Sequence, residues 1–234
     1  MDSLKPELKE KKYSSSAIDT MQILYSVKAF WEKLKWPDAN REVEIVKSVV
    51  GDLCGFALFY FDKFSLKIKE TETMNNTGVF RVPYEMSIAI ANFNYISREI
   101  QVLIEEMTKN KIDDASLIQK SIGNVLKYLK KTTQQLLDFT LHKSTPTIRK
   151  LMLEGAEQTS RKDEIGDRLL IYIEDMLSTL HGDLNDNDFQ DAQAILWNHI
   201  LNVSLDMIQE SVTEQMQPAF FTNLRDILHV LKET

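Results

Sequence analysis

Histidines and paired carboxylates are the residues of this chain whose types suit metal chemistry. A di-iron bundle needs two Glu-x-x-His pairs on facing helices. Of the four histidines, only His229 follows a carboxylate by three residues, at Asp226, and one pair does not make a site. His199 lies between apolar Trp197 and Ile200, which is typical of a core or boundary histidine. The histidine spacing therefore predicts no metal centre.

The segment HGDLNDND resembles the start of a calcium-binding loop. Asp183, Asn185 and Asn187 match positions 1, 3 and 5 of an EF-hand. Position 6 is Asp188, where glycine is needed for the turn, and position 12 is Ala194, where a bidentate glutamate is needed. The segment is instead predicted to be a loop in which an aspartate, Asp186 or Asp188, caps the following helix.

Signatures of nucleophilic and phosphate chemistry are missing from the sequence. There is no P-loop, no G-x-S-x-G and no H-E-x-x-H. The single cysteine, Cys54, stands in an apolar run and is predicted to be a small buried residue rather than a nucleophile. Asp113 and Asp114 are followed by Ala-Ser-Leu, not by the third aspartate of a terpenoid-synthase motif. We therefore expect a protein that is not an enzyme and uses no cofactor, metal ion or small-molecule substrate.

The composition indicates a helical protein. The 234 residues include only 7 Gly and 5 Pro, too few turn formers for an all-β or Rossmann-type fold. A net charge of −7 argues against a nucleic-acid-binding protein, because such domains are usually basic. The longest uncharged stretch, residues 86–97, is shorter than the ~20 residues that span a bilayer. The start of the chain lacks the apolar core of a signal peptide, so we expect a cytoplasmic protein.

Apolar residues recur at steps of three and four along most of the chain, which is the α-helical period. Pro146 is expected to begin a new helix after an interruption at residues 144–146, and Gly182 to lie just past that helix's end. This helix is expected to bend or break between Gly155 and Gly166. The predicted helices cover about residues 17–36, 38–70, 84–107, 116–142, 146–180, 188–215 and 218–231.

Two apolar patterns predict the core of the first half. Residues 49–64 (VVGDLCGFALFYFDKF) are apolar nearly all round, so they are predicted to form a central core helix. Gly51 and Gly55 within it are expected to allow the close approach of a neighbouring helix. In the helix before it, Ile23 and Val27 are predicted to share one broad apolar face with four further residues: Ile18, Met21, Leu24 and Trp31.

Long helices joined by short polar connections pack antiparallel with their neighbours. We therefore predict an all-α fold, an elongated stack of antiparallel helical bundles resembling the rods of tethering complexes. The charged, serine-rich residues 1–16 are predicted to be a flexible arm. Residues 17–142 are predicted to form one helical bundle and residues 143–234 a second.

One window of the chain is basic although the chain as a whole is acidic. Between residues 115 and 153 the only acidic residue is Asp138. The spacing of Lys120, Lys127 and Lys131 places them on one helical face that is predicted to be solvated. That face is either an ordinary solvated surface or a docking surface for an acidic partner or an anionic lipid. The predicted surface comprises Lys120, Lys127, Lys130, Lys131, Lys143, Arg149 and Lys150.

Several stretches resemble the MUN-domain family of vesicle-priming proteins, in the C-terminal half of the MUN region. Residues 30–38 (FWEKLKWPD) resemble the entry to that half, and residues 87–96 (SIAIANFNYI) its apolar-then-Asn segment. The strongest likeness is in residues 172–201, which resemble the second Munc-homology region, where a turn precedes a helix with a central tryptophan. Residues 218–226 (PAFFTNLRD) and 228–231 resemble its last helix.

The resemblance implies an elongated helical fold and a non-enzymatic role in vesicle docking and priming during regulated exocytosis. It implies syntaxin and other SNARE proteins as partners, whose assembly such a module assists. It also implies a cytoplasmic location with peripheral attachment to the vesicle or plasma membrane. The alternative is a generic helical scaffold or tethering-complex subunit without direct SNARE contact. The resemblance assigns no partner-binding residue to this chain.

Overall fold

The computed structural model describes residues 13–34, 39–73, 80–108, 115–157 and 166–233. Within these ranges there are seven α-helices and no strand, so the all-α prediction is confirmed. Residues 1–12 of the predicted arm lie outside the described residues. The helices are α1 (Ser15–Lys33), α2 (Ala39–Thr73), α3 (Tyr84–Thr108), α4 (Ala115–Glu157), α5 (Asp167–Asp183), α6 (Asp186–Thr213) and α7 (Pro218–Glu233).

The chain divides into two compact units. Unit 1 comprises Met1–Asn76 and Tyr84–Leu136, and unit 2 comprises Thr77–Pro83 and Leu137–Thr234. The long helix α4 contributes its first part to unit 1 and its last part to unit 2. The two-bundle division at residues 142/143 and the elongated stacking stay predictions.

In unit 1 the central helix is α3, not α2 as predicted. Phe93 of α3 is fully buried, and its ring stacks on Phe61 of α2 with centroids 4.0 Å apart. The α2 helix buries one face against α3 and exposes the other, where Phe59 is 58% exposed. The prediction failed because an apolar surface all round a helix does not supply neighbours on every side. Gly51 and Gly55 lie on the exposed face, where a Cβ added to either would have no atom within 4 Å, so the expected close approach is absent.

A buried polar cluster joins the start of α1 to α2 and α3. The Ser14 backbone N–H donates to Asn92 Oδ1 (3.0 Å), and Asn92 Nδ2 donates to Ser14 Oγ (2.8 Å). Ser14 and Asn92 are both fully buried. Ser16 Oγ lies 3.0 Å from Ser14 Oγ and 3.1 Å from the Tyr60 hydroxyl. This cluster fixes where α1 begins, because it satisfies a backbone N–H that has no helical partner.

Contacts along the helices of unit 1 fix their directions. The polar cluster joins the start of α1 to α3, and Lys28 forms an ion pair with Glu106 further along both helices, so α1 and α3 run in the same direction. The short connection at residues 34–38 requires α2 to return antiparallel to α1, because the start of α1 contacts the middle of α2. Tyr128 of α4 reaches Asp62 of α2 at 3.3 Å, next to Phe61, whose ring stacks on Phe93 of α3. The chain therefore leaves this level along α3 and returns to it along α4 after only six connecting residues, so α4 runs antiparallel to α3. Consequently α2 and α4 run in the same direction.

Unit 2 differs from the sequence prediction at Pro146, which lies inside α4 rather than at the start of a new helix. Proline removes one helical hydrogen bond and costs roughly 3 kcal/mol in a helix interior. The buried face nevertheless continues through it, because Leu141, Ile148 and Met152 are all at most 1% exposed. Burial of that continuous face offsets the cost of the proline. Helix propensity depends on the local sequence alone and does not include this burial.

The connections around α5 contain one confirmed prediction and one correction. The expected break between Gly155 and Gly166 is confirmed, since α4 ends at Glu157 and α5 begins at Asp167. Gly182, expected past the helix end, lies inside the last turn of α5.

The cap of α6 is a further correction, because it is Asn185 and neither Asp186 nor Asp188. Asn185 Oδ1 accepts the Asp188 backbone N–H at 3.0 Å, and Asn185 Nδ2 donates to the Asp188 carboxylate at 2.6 Å. The predicted loop therefore shrinks to two residues, Leu184 and Asn185.

Candidate functional site

Metal-binding side chains do not converge in the part of the chain that the structure describes. Among those residues, no three His, Cys, Asp or Glu side chains are placed to hold a metal ion. Cys54 is buried, as predicted, and burial raises the pKa of its thiol. A thiol with a raised pKa is a poor nucleophile, because the thiolate is the reactive form.

His199 packs against α4 within unit 2. Its Nε2 lies 3.0 Å from Thr145 Oγ1, and its ring centroid lies 5.9 Å from that of His142. Burial, and then the proximity of His142, lower the pKa of His199, while Asp138 and the Leu141 carbonyl act in the opposite direction. The prediction of a core or boundary histidine is confirmed, because the ring is partly buried and hydrogen-bonded.

The predicted basic surface is distributed over both units. In unit 2, Lys143 Nζ lies 5.5 Å from the ring centroid of Phe139, and Arg149 forms an ion pair with Glu210. These two cations therefore have partners within the chain. Whether any of the basic residues binds an acidic partner or lipid stays a prediction. The unit 1 members, all exposed, are Lys120, Lys127, Lys130 and Lys131, and the unit 2 members are Lys143, Arg149 and Lys150.

In unit 1 the basic residues of α4 lie beside an apolar row on α2. Two of its members, Phe56 and Phe59, belong to the segment 49–64 that was predicted to be a central core helix. Phe56, Phe59 and Leu66 are 39%, 58% and 55% exposed, and Tyr128 of α4 is 47% exposed. Lys63 Nζ lies 5.6 Å from the ring centroid of Phe59. We define the α2–α4 face as Phe56, Phe59, Lys63, Leu66 and Lys67 of α2 together with Lys120, Lys127, Tyr128 and Lys131 of α4.

Helical geometry places both parts of the α2–α4 face on one side of unit 1. At about 100° per residue, Phe59 and Leu66 lie about 60° and 40° from Asp62 around α2. Lys131 and Lys127 lie about 60° and 100° from Tyr128 around α4, in the opposite rotational sense. Asp62 and Tyr128 contact each other and the two helices run in the same direction, so both sets turn toward the same solvent-exposed side.

A second exposed apolar row lies on α1. Ile23, Val27, Phe30 and Leu34 are 53%, 37%, 65% and 38% exposed and follow one another at steps of four, three and four. Two of them, Ile23 and Val27, were predicted to lie on the buried face, and that prediction is wrong. Met21, Leu24 and Trp31 are buried as predicted, together with Ala17 and Thr20. Both sides of α1 carry apolar residues, so periodicity alone does not decide which side has a partner.

Two open grooves of unit 2 have apolar side chains in their lining. One, of about 590 Å³, is lined by residues that include Arg81, Lys150, Ile171 and Asp175, and Arg81 Nε lies 3.9 Å from the Asp175 carboxylate. The other, of about 230 Å³, lies among α5, α6 and α7. Its lining includes Trp197, the central tryptophan of the family likeness. Neither lining, as described, carries a nucleophile beside a base. The larger groove offers charged and apolar contacts, and the smaller one mainly apolar contacts.

Comparison of the sequence with those of known proteins identifies relatives of this chain. Over its whole length the chain is 31% identical to the Drosophila melanogaster protein named unc-13 homolog 4B, of which it covers 22%. The resemblance to the MUN-domain family is confirmed. The mouse BAI1-associated protein 3 is 22% identical over 88% of the chain, which covers 18% of that relative.

The chain spans about a fifth of the length of the relatives it matches. No protein-family model matches it, and no solved structure matches it. None of the described helices is long and apolar enough to cross a membrane.

Proposed function

We propose that this chain is a non-enzymatic helical interaction module that acts in vesicle docking and priming during regulated exocytosis. In this proposal it binds syntaxin and other SNARE proteins and assists their assembly while attached peripherally to the vesicle or plasma membrane. The observation that carries the proposal is the similarity to unc-13 homolog 4B along the entire chain. Such a module works by binding one arrangement of its partners better than another, which shifts their equilibrium.

The exposed row on α1 supports a partner that is itself a helix. Apolar residues at alternating steps of four and three form the seam by which one helix packs against another. Ile23, Val27 and Phe30 of α1, with Leu34 at its C-cap, supply such a seam, and all four are exposed in the described part of the chain. A SNARE helix with its own apolar stripe fits this seam through helix-against-helix packing.

Binding of the purified chain to the cytoplasmic part of syntaxin and to an assembled SNARE bundle tests the proposal. We expect saturable binding that weakens about tenfold in the Phe30→Ser variant, because an aromatic anchor typically contributes 1–2 kcal/mol or more at an interface. Val212→Ser is the matched control, since Val212 is equally exposed, at 62%, on α6 of unit 2. The control is expected to bind like the unaltered chain.

The outcomes of these binding assays test SNARE binding and the α1 seam separately. Saturable binding to neither syntaxin nor the SNARE bundle contradicts the proposed function. Binding that is equal in Phe30→Ser and in the unaltered chain contradicts the α1 seam while leaving SNARE binding in place. Capture of tethering-complex subunits alone would instead favour a helical scaffold without SNARE contact.

A further inference from the structure

The α2–α4 face combines a row of lysines with a row of exposed apolar side chains. We propose that this face of unit 1 binds the surface of a membrane that contains anionic lipids. The proposal does not depend on the SNARE contact proposed above, because it rests on unit 1 side chains alone and is tested on membranes without protein.

The charge of the face is opposite to that of the chain. The chain carries a net charge of −7, whereas the face carries five lysines. Among the exposed α2 residues whose side chains are described, the acids on the same side are Glu44, Asp52 and Asp62. Within α4 there is no acidic residue before Asp138. Each lysine that approaches an anionic bilayer strengthens binding by roughly fivefold.

The apolar row is arranged as interfacial side chains are in peripheral membrane proteins. Phe59 and Leu66 are both more than half exposed, and the Lys63 ammonium lies over the Phe59 ring. At a bilayer surface, such apolar groups enter the boundary between head groups and acyl chains. The lysine stems extend alongside them and keep the ammonium groups among the lipid phosphates. An acidic protein would pair with the lysines alone, whereas an anionic bilayer both pairs with the lysines and buries the apolar side chains.

Flotation with lipid vesicles tests the charge half of the proposal. We expect the chain to float with vesicles of phosphatidylcholine and phosphatidylserine, to lose binding as salt increases, and to remain unbound with phosphatidylcholine alone. The double variant Lys127→Glu and Lys131→Glu is expected to bind at least about 25-fold more weakly, at roughly fivefold per lysine. The matched control reverses two exposed lysines of unit 2, Lys150→Glu and Lys232→Glu, and is expected to retain most of the binding.

Substitution of the apolar row tests whether Phe59 and Leu66 contribute to membrane binding. Phe59→Ser with Leu66→Ser is expected to weaken vesicle binding about tenfold, because partial burial of two such side chains contributes at least a factor of that size. Both side chains are exposed, so the fold is expected to persist. Ile171→Ser with Val212→Ser is the control, because these residues are 63% and 62% exposed in unit 2.

A dye that reports polarity locates the contact directly. Attached to Phe59→Cys, it is expected to shift its emission to shorter wavelength when phosphatidylserine vesicles are added, and to stay unchanged on Val212→Cys. Equal binding to neutral vesicles, or no effect of reversing Lys127 and Lys131, overturns the proposal. Loss of binding with the lysine variant but full binding with the Phe59 and Leu66 variant also overturns it, because the contact is then purely electrostatic.

Discussion

Replacing Asn92 by alanine tests the buried polar cluster that positions α1. Asn92 is fully buried and makes two hydrogen bonds to Ser14, at 3.0 and 2.8 Å. Alanine leaves the equally buried Ser14 N–H and hydroxyl without these partners. An unsatisfied buried donor costs about 1–3 kcal/mol, and the lost side-chain packing adds to it, so we expect unit 1 to lose about 2–4 kcal/mol. That loss falls first on the start of α1.

Urea unfolding followed by circular dichroism measures the free energy of unfolding, and hydrogen exchange of the α1 amides shows where stability is lost. Asn94→Ala is the matched control: Asn94 stands two residues along α3 and is partly exposed, so we expect it to cost about 0.5 kcal/mol or less. Adding Ser14→Ala to Asn92→Ala should cost much less than the two single changes summed, because the partners share their hydrogen bonds. Equal stability of the Asn92 and Asn94 variants would refute the role given to the cluster.

Two further predictions concern unit 2. Gly166 has φ +90°, and an added Cβ would lie 3.2 Å from Ile227 Cγ1; we expect Gly166→Ala to lower the free energy of unfolding by about 1–2 kcal/mol. By contrast, we expect Gly182→Ala, inside α5 with open space around it, to raise it by about 0.5–1 kcal/mol. The lowered pKa of His199 in the folded chain means that the unfolded chain binds more protons as pH falls through about 6.5, so stability falls there. Urea titrations at several pH values should show a smaller fall in the free energy of unfolding for His199→Gln than for the control His229→Gln. Equal pH slopes of the two variants would contradict the reasoning on His199. Equal losses of stability in the two glycine variants would contradict the reasoning on the glycines.

The sequence predicted the helices well because their periodicity is a local property. Among the described helices, steps of three and four place α1, α2, α3, α6 and α7 close to where they lie. The break before α5 lies at Gly166, whose φ of +90° favours glycine. The prediction that a helix begins at Pro146 was wrong for a physical reason. The free-energy cost of a proline inside a helix is a local property, but the burial that offsets it involves helices distant in sequence. Asn185 was missed because three neighbouring residues were equally able to cap α6, and only the geometry of the chain selects one.

The candidate surfaces were only partly predictable. The exposed lysines on α4 followed from spacing, but Ile23 and Val27 of the α1 row and Phe56 and Phe59 of the α2 row were assigned to the core. A helix with apolar residues all round has no sequence signal that tells a covered side from an open one. Phe59 and Phe61 illustrate this, because they are two residues apart on α2 and are 58% and 0% exposed. Only the position of α3 distinguishes them.

The most direct test of the central claim, that outer helix faces perform the function, is a docking reaction with purified components. Vesicles carrying one set of SNARE proteins and vesicles with phosphatidylserine and syntaxin are mixed, and their docking rate is measured with the purified chain. We expect the unaltered chain to accelerate docking, and a variant combining Phe30→Ser with Lys127→Glu and Lys131→Glu to lose that acceleration while keeping its helical content. Acceleration that persists in this variant, or no acceleration by the unaltered chain, would contradict the claim.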